Sequence, residues 1–163
     1  MLVVSDTSPL SNLAIIGRLE QLRAQFNEVT MPPAVARELA MLGDPVAQSV
    51  LSKARRDGWL VECSLPQGAP FPPELGDLDA GETEALRLAL CLSADAVLID
   101  EKEGRICATS LGIRTVGALG VLIAARRTGA IPSLKAEIDK LRHDAGFFLD
   151  HKLEARALAS VGE

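Results

Sequence analysis

Residues 78–105 read LDAGETEALRLALCLSADAVLIDEKEGR, and their patterning decides the fold class. Asp79 is suited to an N-cap, and Glu82 three residues later completes a capping box, so a helix starts here. Leu86 and Ala89 follow Glu82 at i+4 and i+7, which puts this glutamate at the head of the buried face. Ala96 to Ile99 is a short apolar run bounded by polar residues, as expected of a strand covered on both faces. It runs into Asp100, with Glu101 and Glu103 close behind. Helix, turn, buried strand and terminal acid form one α/β repeat, and ligands of open α/β sheets gather at the carboxyl ends of strands.

Working outward, the same grammar recurs. Leu2 to Ser5 predicts a strand that runs into Asp6, and Ser8-Pro9 predicts a helix with Ser8 as N-cap and Pro9 in first position. Gly17 closes that helix, and a second short one covers Leu19 to Phe26. Glu28 to Met31 reads as strand two, followed by a helix opened by Pro32-Pro33, with Val35, Leu39 and Leu42 on one face and Glu38 at its border. Asp44-Pro45 starts a further helix, and Trp59 to Cys63 predicts a third strand. Residues 64–77, with Pro66, Pro70, Pro72, Pro73, Gly68 and Gly76, read as a surface loop or hinge. Beyond the opening stretch, a helix from Arg105 to Leu111, a strand at Arg114 to Val116 and helices at 117–127, 131–143 and 150–160 complete the chain. The prediction is a three-layer α/β/α fold with a mostly parallel central sheet of about four to five short strands. Residues 1–163 form a single domain, with 130–163 as a C-terminal helical extension.

Composition narrows the function classes. A formal net charge of −5 argues against a protein that coats nucleic acid through bulk charge, yet it is compatible with an acidic metal site. Cys63, Cys91 and Cys107 show no ligand spacing and no even pairing, so neither zinc nor a disulfide framework is indicated. Tyrosine is absent and aromatics are 3%, which disfavours a base-stacking platform. No stretch is long and apolar enough for a membrane span, no secretory leader pattern opens the chain, and a cytoplasmic setting with no membrane partner is the expectation.

Four acids carry the chemistry. Asp6 and Asp100 end apolar strands; Glu38 and Glu82 fall in the first turns of helices, on the rim side of such a sheet. Each has a plain alternative: strand-end aspartates cap helices, Glu82 is accounted for by the capping box, and helical glutamates are mostly solvated. Taken together, clustered carboxylates repel unless a cation neutralises them, and an all-oxygen site suits Mg2+ or Mn2+. Such an ion can activate water and stabilise the leaving oxygen of a phosphodiester. The pairs Arg55-Arg56 and Arg126-Arg127 could hold a nucleic-acid backbone or simply face solvent. His143 and His151 have no partner at a telling spacing.

The segments VVSDTSPLSNLA (3–14), PPAVARELA (32–40), LDAGETEAL (78–86) and VLIDEKEGR (97–105), taken in that order, resemble PIN-domain proteins. The likeness is greatest to the bacterial group related to VapC-type toxin ribonucleases of type II toxin–antitoxin pairs. The resemblance covers roughly residues 1 to 130. It implies a metal-dependent ribonuclease acting on RNA, often a homodimer and inhibited by a cognate antitoxin. Carried over, Asp6, Glu38, Glu82 and Asp100 are the catalytic and metal-holding acids, and Ser8 is the small hydroxyl residue beside the first. The sequence departs from the pattern in having glutamate at the third acidic position, with Asp79 one turn earlier. The EKEGR run after Asp100 offers Glu103 as an extra acid and Arg105 as a phosphate contact or ion-pair partner. Two rivals remain: a catalytically silent PIN-like module binding RNA or a protein, and an aspartate-using phosphatase or phospho-receiver. The phosphatase expects a second aspartate two residues after the first, where Ser8 stands.

Overall fold

The computed structural model describes residues 1–163. Short β-branched runs make its sheet, and the first of them, β1 (Val3–Ser5), takes the centre. β2 (Val29–Met31) and β4 (Ala96–Leu98) pair with β1 on either side, β3 (Leu60–Glu62) joins β2, and β5 (Thr115–Val116) joins β4. All four pairings are parallel, in the order β3-β2-β1-β4-β5. Ser5 lies opposite Leu98, so the chain leaves β1 and β4 side by side on one rim. Asp6 extends the ladder by one bond, its N–H donating to the Leu98 carbonyl at 2.9 Å.

Side-chain alternation along the strands divides the core in two. Val3 and Leu98 face the larger cluster, built with α1 (Thr7–Ile15), α2 (Glu20–Phe26), α3 (Pro33–Ala40), α4 (Pro45–Arg56) and α7 (Ala118–Arg127). Val4, Val97 and Ile99 face the smaller one, built with α5 (Ala80–Cys91) and α6 (Lys102–Ser110). The fold is therefore α/β with helices on both faces of a five-stranded parallel sheet. Residues of α8 (Leu134–Ala145) and α9 (His151–Ala159) belong to the larger cluster as well: Ile138, Leu141 and Ala157 are buried there. The apolar face of α7 is spent inside the chain, with Ala118, Val121, Leu122 and Ala125 all buried. No helix is long and apolar enough to cross a membrane.

Two local expectations need correction. α1 begins at Thr7, so Ser8 and Pro9 are its second and third residues and Ser8 is not the cap. Proline is tolerated there because the first four helical N–H groups have no intrahelical partner anyway. α6 begins at Lys102 rather than Arg105, which brings Glu103 and Arg105 onto its first turns. Gly104 falls in its first turn, and the structure explains the glycine: a Cβ would stand 2.3 Å from Ile99 Cδ1. The proline-rich loop lies at the surface, as expected, and is anchored there. It makes a short 3-10 turn at Pro73–Leu75, Leu75 is buried against the smaller cluster, and the Cys107 thiol donates to the Glu74 carbonyl.

Candidate functional site

The site forms where β1 and β4 end and the N-terminus of α5 arrives. Asp6 occupies the N-cap position of α1, but its side chain makes no capping bond and is only 3% exposed. Asp79 and Glu82 do close the capping box: the Glu82 N–H donates to Asp79 at 2.8 Å and the Asp79 N–H donates to Glu82 Oε2 at 3.3 Å. That leaves Glu82 Oε1 buried without any hydrogen-bond partner. Glu38 lies in the last turn of α3, not its first. It reaches the rim because α3 packs on α5, pinned by the Ala34 N–H, which donates to Glu84 at 2.7 Å.

Gly81 is the point of convergence. A Cβ at this residue would lie 2.8 and 2.9 Å from the two Glu38 carboxylate oxygens and 3.1 Å from Asp6 Oδ1. The missing side chain thus makes room for both carboxylates at the first turn of α5. Gly104 plays the same part for Glu82, whose Oε1 would be 2.8 Å from a Cβ there, and Gly117 for Asp100, at 2.9 Å from Oδ1. Each acid of the site is seated against a glycine.

The electrostatics of this cluster are unbalanced. Burial first, then repulsion from Asp79, Glu82 and Glu38, pushes the Asp6 carboxyl up to about 7, against the lowering effect of the Thr7 amide. Burial and then Asp79, Glu101 and Glu103 raise Glu82. Every ion pair of the protein lies elsewhere: Glu62, Asp57, Glu137, Asp139, Glu154 and Glu163 all hold a lysine or arginine, and the acids of the site hold none. A concentration of oxygen donors with no cation is the donor set that suits a hard divalent ion. The orphaned Glu82 oxygen points the same way, since a buried unpaired carboxylate is costly. As the side chains stand, no three of the acids close on one point in a metal-holding arrangement.

Asp100 is placed differently from the other three. Its Oδ1 accepts from the Ala118 N–H at 2.8 Å, capping α7, and its Oδ2 accepts from Asn12 Nδ2 at 3.1 Å. Burial raises its carboxyl, Ala118, Asn12 and Arg105 oppose the rise, and the like charge it feels is Glu101. The structure therefore brings Asp6, Glu38 and Glu82 together with Asp79, and sets Asp100 beside them, committed to α7.

Of the auxiliary residues, Ser8 makes no side-chain bond to an acid. It is the Thr7 hydroxyl that donates to Glu38 Oε2, a contact between residues 31 apart that no local sequence signal marks. Glu103 adds negative charge near Glu82, and Arg105 adds positive charge near Asp100. Asn12 was also missed; it lies six positions beyond Asp6 inside α1, and only folding brings it to Asp100. The three cysteines are free.

Comparison with known proteins adds to this geometry. A family model described as a PIN domain matches residues 2–163. Among solved structures, the fold is similar to that of a PilT N-terminus domain protein from the hyperthermophilic archaeon Sulfolobus solfataricus P2. The TM-score is 0.57 at 19% identity, over 77% of this chain and 93% of that one. No curated protein matches the sequence.

Proposed function

The chain belongs to the PIN-domain family, whose members are as a rule nucleases that use divalent metal ions, and we propose that it is an Mg2+- or Mn2+-dependent endoribonuclease. The observation that carries this reading is the meeting of Asp6 and Glu38 at Gly81 without a basic partner. Asp6, Glu38 and Glu82 would hold the ion, with Asp100 at the margin. A divalent ion held there supplies an activated water and charge stabilisation at a phosphodiester oxygen. The chain's own groups do the rest. Thr7 fixes the rotamer of Glu38, the capping box fixes Glu82, and Asn12 with the Ala118 N–H fixes Asp100. Asp6 holds a cation only once ionised, so the ion and the proton compete for its carboxylate.

The test is cleavage of single-stranded RNA in Mg2+, Mn2+ or EDTA by wild type beside Asp6→Asn. Metal-dependent cleavage lost in a folded Asp6→Asn supports the reading; cleavage that survives both EDTA and the substitution refutes it. A second reading, a silent module that binds RNA or a protein, is favoured by one observation: Asp100 is engaged as the cap of α7. The likeness to VapC-type toxins extends the proposal to a toxin working as a homodimer and held by an antitoxin. Growth arrest on expression, abolished by Asp6→Asn, is its test.

A further inference from the structure

A groove of about 560 Å3 runs from Asp100 along α6, β5 and α7 to the segment that joins α8 to α9. Arg105, Arg114 and Arg127 line it, and Asp100 at its end is the one acid among its lining residues. None of these three guanidinium groups holds a partner. Arg18, Arg55, Arg126 and Arg142 each hold a carboxylate and Arg87 holds two backbone carbonyls, while Arg23, Arg37, Arg56 and Arg156 are also unpaired but do not line this groove. On a chain of net charge −5, three unpaired arginines gathered along one groove make a local positive field. Phe148 stands on the far wall, 88% exposed and the most exposed large apolar side chain of the protein. The same wall borders a second cavity lined by Ser8, Asn12, Asp100, Glu101 and Asp150, so Phe148 shares both cavities with Asp100.

We propose that this groove binds single-stranded RNA, with Arg114 and Arg127 on successive phosphates, Arg105 on the phosphate nearest Asp100, and Phe148 stacked on a base. A cationic channel that tracks the backbone, with an exposed aromatic ring for stacking, is what single-strand recognition requires. A duplex would offer no unstacked base for Phe148. The aromatic content of the chain is low, but one well-placed ring is enough to hold one base. The assignment rests on the ribonuclease reading only for the direction in which the strand leads, toward Asp100.

The experiment is fluorescence anisotropy of a labelled single-stranded oligoribonucleotide in EDTA, where no cleavage complicates the signal, with the full chain at several salt concentrations. Arg114→Ala/Arg127→Ala is expected to reduce the slope of log affinity against log salt by about 1.4, since each phosphate contact on a single strand accounts for about 0.7. Phe148→Ala is expected to weaken binding by about 5- to 150-fold at unchanged slope, the worth of one stacked base. Phe148→Leu, which keeps the apolar bulk without the flat ring, does not restore it. Arg55→Ala/Arg56→Ala on α4 serves as the control and leaves binding unchanged. The inference is overturned if wild type does not bind the strand, if duplex RNA binds as well, or if the Arg114/Arg127 variant keeps the wild-type slope. It is also overturned if Phe148→Ala abolishes self-association seen by ultracentrifugation while RNA binding persists, because the groove then belongs to a protein. These outcomes are separate from the nuclease test: an RNA-binding groove with no metal-dependent cleavage retains this inference and refutes the enzyme, and the reverse pattern does the opposite.

Discussion

Replacing Gly81 by alanine should separate stability from function. The residue lies in the first turn of α5 with ordinary helical backbone, so alanine fits the conformation and raises helix propensity. Taken alone, that propensity is worth about 0.5–1 kcal/mol, or about 1–4 °C in Tm for a chain of this size. The new methyl group, however, would stand 2.8 Å from Glu38 Oε1 and 3.1 Å from Asp6 Oδ1, where ordinary contact begins at 3.4 Å. The exposed tip of Glu38 yields first, breaking its bond from Thr7; Asp6 is buried and has little room to move. A displacement of about 0.5 Å exceeds what preorganised sites tolerate, and a misplacement near 1 Å can reduce rate by about a hundredfold. The propensity gain and the displaced carboxylates oppose one another in stability, so calorimetry should give a Tm within about 4 °C of wild type, while cleavage of RNA in Mn2+ falls by about ten- to a hundredfold. Wild-type turnover in a folded Gly81→Ala protein would refute the placement of the reacting centre at this convergence.

Other consequences are independent of that one. Thr7→Val keeps the shape but removes the hydroxyl that holds Glu38, and should lower kcat by about tenfold with Tm within about 2 °C of wild type, read by the same two assays. Asp6, raised from 3.8 to about 7, binds a proton in the folded state that the unfolded state has lost, so it makes stability fall as pH rises between these values. The slope is at most roughly 1.4 kcal/mol per pH unit, it levels off above about pH 7, and Asp6→Asn should remove it in urea titrations from pH 4 to 8. Glu163 acts with the opposite sign. Its carboxylate accepts from the Leu134 and Lys135 N–H groups and from Arg126 and Ser133, which holds it down to about 2. Its stabilisation is full above its ordinary value and lost as pH falls through about 2, so Glu163→Gln should lower Tm at pH 7 and lose that effect in strong acid. Asp100→Asn can still accept from the Ala118 N–H, so it should fold normally; unchanged cleavage by this variant would make Asp100 a cap alone.

Much of this architecture was legible in local chemistry. The Asp79–Glu82 capping box, the proline start of α3, the Asp44 cap of α4 and the strand-end position of Asp6 each depend on residues within four positions of one another. What escaped the sequence depends on distance along the chain. Asn12 and Asp100 are 88 residues apart, Thr7 and Glu38 31, and Arg18 and Glu137 119. Nothing local marks the glycines at 81, 104 and 117 as special, and only packing shows that each clears space for a carboxylate. Nor does the local sequence set Glu137 and Glu154 apart from solvated helical acids, yet both are buried in ion pairs, with Arg18 and Lys140 and with Lys135 and Arg142.

The central claim is that Asp6, Glu38 and Glu82 form a divalent-ion site, and titration calorimetry with Mn2+ at pH 8 tests it most directly. Wild type should bind Mn2+, with the binding weakened as pH falls below 7 and lost in Asp6→Asn and Glu38→Gln. Equal Mn2+ binding by wild type and both variants, or none by wild type, would contradict it.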